Sequence, residues 1–137
     1  MKQPEDIGNI NDLVMYRIES AKNDLRSAIA LRDIDDYKGA NNRAYYAVFH
    51  AITAVHGLSK KAYKRHKDAV ANFNKEYVKT EVFPREMGKK ISELEEIRHE
   101  SDYNDFYIAS REEVDETIET ATEFVDMVEK YCKERLI

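Results

Sequence analysis

Apolar residues recur along this chain at steps of three and four, the signature of amphipathic helices. Ile10, Val14, Ile18, Ala21, Leu25 and Ala28 line one face of a first predicted helix, Asn9 to Asp35, with Arg17 and Arg32 in or beside the stripe and Leu13 and Ile29 widening it. A second helix runs from Asp36 to Gly57, where the glycine is a natural stop. Its small-residue stripe, Ala40, Ala44, Ala47, Ala51 and Ala54, is flanked by Val48, Ile52 and Val55 on one side and by Arg43 and His50 on the other. A third helix, Arg65 to Thr80, carries His66, Val70, Phe73 and Tyr77 on one face. Pro84 punctuates the chain and suits a helix start. Helix four follows from Arg85 to Asp102, with Met87, Ile91, Leu94, Arg98 and Ser101 in line. Ser110-Arg111-Glu112-Glu113 has capping-box spacing. It opens a last helix with Val114, Ile118, Ala121, Val125, Val128 and Cys132 as its seam. Short connections between long amphipathic helices predict an all-α, antiparallel up-and-down bundle of four to five helices, a single domain over residues 1–137.

Composition narrows the function. Only four Gly and two Pro occur in 137 residues, which favours long helices over a turn-rich fold. The single cysteine, Cys132, excludes a disulfide framework. Met1-Lys2-Gln3-Pro4-Glu5-Asp6 does not read as a signal peptide and no apolar run reaches spanning length, so a cytoplasmic protein without membrane attachment is expected. A net charge of −5 argues against broad non-specific nucleic-acid binding but leaves room for a local basic patch. Lys60, Lys61, Lys64, Arg65 and Lys67 form one such cluster, or else a solvated loop.

The candidate chemistry sits on helix two. From Ala44 to Ser59 there is no Asp, Glu, Lys or Arg in a chain that is 36% charged, so this helix should be the buried centre. Arg43 and His50, seven residues apart, share a face of it. Together they are either a satisfied polar seam or a functional pair, with imidazole as acid or base and guanidinium on a phosphate. Arg98 lies near the centre of helix four's apolar stripe and needs a partner, for which Asp102 is the local choice. His99 should face outward, and His66 reads as a helix-start or packing histidine. Tyr103, Phe106 and Tyr107 form either a cap over the bundle end or a stacking platform for bases. Four histidines without paired spacing or a cysteine partner do not suggest zinc, and no cofactor is implied.

The run Asn42-Arg43-Ala44-Tyr45-Tyr46-Ala47-Val48-Phe49-His50-Ala51, then His66, Phe73 to Thr80, Arg98 with Asp102-Tyr103, and Ala121 with Phe124, resembles the HEPN family (higher eukaryotes and prokaryotes nucleotide-binding), in its small stand-alone prokaryotic branch. The likeness covers about residues 10 to 135. It implies a four- or five-helix bundle that forms a homodimer and partners a minimal nucleotidyltransferase in toxin–antitoxin-like modules. Catalytic members of the family are metal-independent ribonucleases with an Arg, four to six residues, then a His on a late helix. Here Arg98 matches the Arg, but Tyr103 stands at the four-residue spacing and no His follows. A tyrosine, with a pKa near 10, is a poor general base at neutral pH.

Three functions are therefore expected as alternatives. The first is a nucleotide- or RNA-binding partner of a nucleotidyltransferase, with Arg43, His50, Arg98, Asp102 and Tyr103 around the ligand. The second is a ribonuclease toxin using Arg98 and His50. The third is a non-catalytic scaffold in which Arg43, His50, Arg98 and Asp102 form a buried polar network.

Overall fold

The computed structural model describes the backbone of residues 4–136. Met1 to Gln3, part of the segment read above as lacking a signal peptide, lie outside the described residues, as does Ile137. Five helices form a bundle, and no strand occurs among the described residues: α1 (Pro4–Asp33), α2 (Tyr37–Leu58), α3 (His66–Phe73), α4 (Arg85–Tyr103) and α5 (Arg111–Lys133). None of them is long and apolar enough to cross a membrane.

α2 is the central helix, packed against α1 along its length and also against α3, α4 and α5. All five alanines of its small stripe, and Val48, Ile52 and Val55 beside them, are fully buried. Small side chains let neighbouring backbones come close, so the helix with the fewest charges is also the one with the most neighbours. On α1, Val14, Ile18, Ala21, Leu25 and Ala28 are buried. Leu13 and Ile29, expected to widen that stripe, are 43% and 38% exposed instead. They sit at its edges, and α1 has no packing partner on its outer face among the described residues.

Three local features depart from the sequence expectations. Gly57 lies inside α2, which continues to Leu58. The left-handed residue that ends the turn is Lys60 (φ 58°). What Gly57 supplies is room, since a Cβ there would sit 3.2 Å from an Arg17 amino group and 3.3 Å from Val14 Cγ2. The third predicted helix is broken in character: α3 ends at Phe73, and Asn74–Val78 form one π turn. A π turn brings residue i+5 back to the starting face, which returns Val78 to the buried side with Phe73. Val78 then meets Gly88 of α4 so closely that any Cβ at Gly88 would be 2.6 Å from its methyl. The Ser110 capping box is half made. Ser110 Oγ accepts from Glu113 N at 3.1 Å, but the Glu113 carboxylate accepts from the Tyr107 hydroxyl.

Candidate functional site

The polar residues of α2 do not stand alone. Asp24 of α1, at the edge of the Ala21–Leu25–Ala28 stripe, is 8% exposed and sends its carboxylate between two helix-two side chains. Arg43 Nη1 donates to Asp24 Oδ1 at 3.1 Å, and His50 Nδ1 lies 2.7 Å from Asp24 Oδ2. A carboxylate accepts only, so Nδ1 carries the proton of that bond. Arg43 also donates through Nε and Nη2 to Asn42 Oδ1, and Asn42 Nδ2 donates to Asp102 Oδ2 of α4 at 2.9 Å.

From Asp102 the chain of contacts reaches Arg98. Arg98 Nε is 3.1 Å from Asp102 Oδ2, close enough for an ion pair, but its N–H is not aligned with that oxygen and is buried without a hydrogen bond. Arg98 Nη2 donates to the Tyr46 hydroxyl at 3.0 Å. The guanidinium carbon lies 5.1 Å and 5.4 Å from the ring centroids of Tyr45 and Tyr46. Burial works against the charge of Arg98, but the Tyr46 hydroxyl and Asp102 outweigh it and hold the guanidinium protonated. Burial, with Glu95 nearby, pushes the Tyr45 phenol up to about 12, so its hydroxyl stays neutral.

One connected network thus joins α1, α2 and α4: His50, Asp24, Arg43, Asn42, Asp102, Arg98 and Tyr46. Arg43, His50, Arg98 and Asp102, named from the sequence, are brought together in it. Its interior and its rim differ. The side chains of Asp24 and Arg98 are 12% and 18% exposed, whereas those of Arg43 and His50 are 37% and 35% exposed. The network therefore ties three helices together and still presents an imidazole edge and a guanidinium to solvent.

Tyr103 is 68% exposed and lies at the rim, its ring 6.0 Å from the Arg98 guanidinium carbon and 4.9 Å from the His99 ring. His99 is exposed, as expected. The aromatic connector is not a cap over the bundle end, because Phe106 and Ile108 are 93% and 88% exposed. Only Tyr107 turns inward, where burial and the Glu113 carboxylate raise its pKa. A groove of about 270 Å³ between α4 and α5 is lined by Glu93, Glu113, Glu116 and Glu123, the wrong sign for phosphate. Among the described residues no three His, Cys, Asp or Glu side chains gather as metal ligands.

Asp24 and Tyr46 were not singled out in the sequence. Asp24 carried a signal, an acid three residues from Ala21 and four from Ala28 on a buried face. Tyr46 stood only within the family-like run, and its role was not legible there because its partner, Arg98, is 52 residues away.

The HEPN domain family matches residues 14–131 of this chain. The chain belongs to the HEPN domain family. It is 30% identical over 122 residues to the UPF0332 protein of Thermotoga maritima, covering 89% of this chain and 92% of that one. A candidate toxin of Methanocaldococcus jannaschii is 29% identical, covering 93% of this chain and 95% of its own, and a second is 26% identical over 83% and 78%. The crystal structure of TT1696 from Thermus thermophilus shares the fold, with a TM-score of 0.71 and 21% identity over 85% of this chain and 96% of that one. The bundle accounts for the polar network's position: α2 packs against both α1 and α4, so Arg43 reaches Asp24 of α1 directly and Arg98 of α4 through Asn42 and Asp102.

Proposed function

We propose that this HEPN protein is the RNA- or nucleotide-binding helical component of a toxin–antitoxin-like module, with a minimal nucleotidyltransferase as its partner. The observation that carries the reading is the network that joins Arg43, His50 and Arg98, with Arg43 and His50 at its solvent-exposed rim. The exposed lysines Lys60, Lys64 and Lys67 beside His66 add a local positive field to an otherwise acidic chain. The description of two relatives as candidate toxins agrees with the module, and the nucleotidyltransferase follows from the family resemblance. A cytoplasmic homodimer completes this reading, with Tyr103, Phe106 and Ile108 as exposed apolar surface for it to use.

The test is binding of a fluorescent single-stranded oligoribonucleotide by anisotropy at two salt concentrations. The expected result is salt-dependent binding that weakens at least about tenfold in Arg98→Met, within the range for a phosphate-contacting arginine. Wild-type protein that binds neither the oligoribonucleotide nor ATP overturns the reading. Co-expression with the nucleotidyltransferase from the same genome tests the partner, which should co-purify.

A second reading, a metal-independent ribonuclease, is favoured by one observation. Asp24 holds Nδ1 of His50 and so orients the ring, leaving Nε2 outside that bond on a side chain 35% exposed. It predicts RNA cleavage in EDTA that is lost in His50→Ala.

A further inference from the structure

His66 was expected to be a packing or helix-start histidine, and it is both. It opens α3 and stacks on Phe49, ring centroids 3.9 Å apart and planes 26° from parallel. It also meets the edge of Tyr46 at 5.5 Å, and Tyr46 is the ring whose hydroxyl holds Arg98. His50 flanks the same two rings, 6.4 Å from Tyr46 and 6.2 Å from Phe49. Two imidazoles therefore lie beside the Tyr46–Phe49 pair, with Arg98 and Arg43 against Tyr46. His66 remains exposed along one edge, and among the described residues no hydrogen bond ties down either of its nitrogens. His50, in contrast, is held by a carboxylate. One imidazole has no hydrogen bond on its ring nitrogens and the other is oriented by a carboxylate.

We propose that His66 is the general base, and His50 the general acid, of a metal-independent transesterification of RNA at this face, with both groups supplied by one chain. The proposal rests on the ribonuclease reading. His66 takes the proton of a 2′-hydroxyl, and the 2′-oxygen forms a bond to the adjacent phosphorus. The bond from phosphorus to the 5′-oxygen breaks with its electron pair, and that oxygen takes the proton from His50 Nε2. The products are a 2′,3′-cyclic phosphate and a free 5′-hydroxyl. His66 ends protonated and His50 neutral, and exchange with water restores both. Arg43, against Tyr46 at the exposed rim, offsets charge developing on the phosphate oxygens.

The surroundings of His66 favour the neutral form a base needs. Packing of its stacked face comes first, followed by the positive charge of Arg98 and the nearness of His50; together they hold its pKa below the usual histidine value, against a small opposing pull from Glu95. Arg65 and Lys67, its neighbours in sequence, are also cationic.

The test uses the full chain in EDTA with a labelled oligoribonucleotide of mixed sequence, and the same oligomer with 2′-deoxy sugars. Wild type should cleave only the ribose form and leave 2′,3′-cyclic phosphate ends. His66→Ala should lower kcat by about 10²- to 10⁴-fold, as loss of a general base does, with KM changed far less. The acidic limb of the kcat/KM profile should vanish with it, and added imidazole should restore part of the rate. His66→Gln, with its melting temperature checked against wild type, guards against a folding defect. If wild type cleaves and both His66 variants retain their rate, the assignment of His66 is overturned while the ribonuclease reading stands. If wild type leaves the RNA intact, both fall together.

Discussion

Two aromatic–histidine clusters lie along α2, and their fates differ. Toward its C-terminal end, His56 is 1% exposed and enclosed by Tyr63, Phe73 and Tyr77, with Phe73 continuing into Phe83 and Phe124. Its Nε2 donates to Ala69 O at 2.9 Å, and its Nδ1 is buried without a partner. Seven residues earlier in the helix, Phe49, with Tyr46 and His50 beside it, forms the other cluster, which is half open and threaded by Arg43 and Arg98. Both clusters are built from the same residue types. One imidazole is sealed among rings and made to stay neutral. The others have a carboxylate or a guanidinium beside them and an edge in water. Chemistry becomes available where aromatic packing stops short of closure and charged groups fill the gap, and stability accumulates where packing closes.

That contrast can be broken most sharply by truncating one ring in each cluster. Phe73→Ala should cost about 3–5 kcal/mol in urea unfolding, the range for a buried aromatic. Phe49→Ala should cost clearly less and should instead weaken RNA binding, because it removes the ring on which His66 rests. Equal destabilisation by both would erase the distinction between the clusters.

Asp24→Ala is expected to come next. It strands Arg43 and His50, and breaking a buried pair can cost about 3–5 kcal/mol. Because Arg43 is more than a third exposed, the loss expected here is nearer about 2 kcal/mol. Asp24→Asn should preserve more of the fold while still releasing His50, which NMR of the imidazole nitrogens would report.

Acidification provides a smaller effect. Burial lowers the pKa of His56, despite the opposing hydrogen bond to Ala69 O. The unfolded chain therefore binds a proton at a higher pH than the folded one. Stability from this residue is fully present above the unfolded histidine value of about 6.5 and falls as pH drops through the interval below it. The fall in urea midpoint from pH 7.5 to pH 5 should be shallower in His56→Leu than in wild type. An identical slope would show that His56 plays no part in it.

The smallest effect is expected at the rim. Tyr103→Ala should change stability by less than about 0.5 kcal/mol, as exposed substitutions do. A larger loss in thermal unfolding at higher protein concentration would place this ring in a contact between copies.

Much of this architecture was legible in the chain. The periodicity marked five helical segments, and the charge-free run from Ala44 to Ser59 identified the central helix. Arg43, His50, Arg98 and Asp102 stood out because ionisable groups on apolar faces are costly without partners. The errors fell where geometry depends on a neighbour. Gly57 reads as a stop and is a point of close approach to Arg17 and Val14. Glu113 has the spacing to complete a cap and bonds Tyr107 instead.

The sequence by itself determined the helices, the buried face of each and the family, because these follow from local spacing and from residues that sit together on one element. Only the tertiary structure decided that Asp24 joins Arg43 to His50, that Tyr46 holds Arg98, and that His50 and His66 share a face while His56 is sealed. Each of those facts is a contact across helices. Its strength depends on the angle and depth at which two elements meet, and no single helix carries that information.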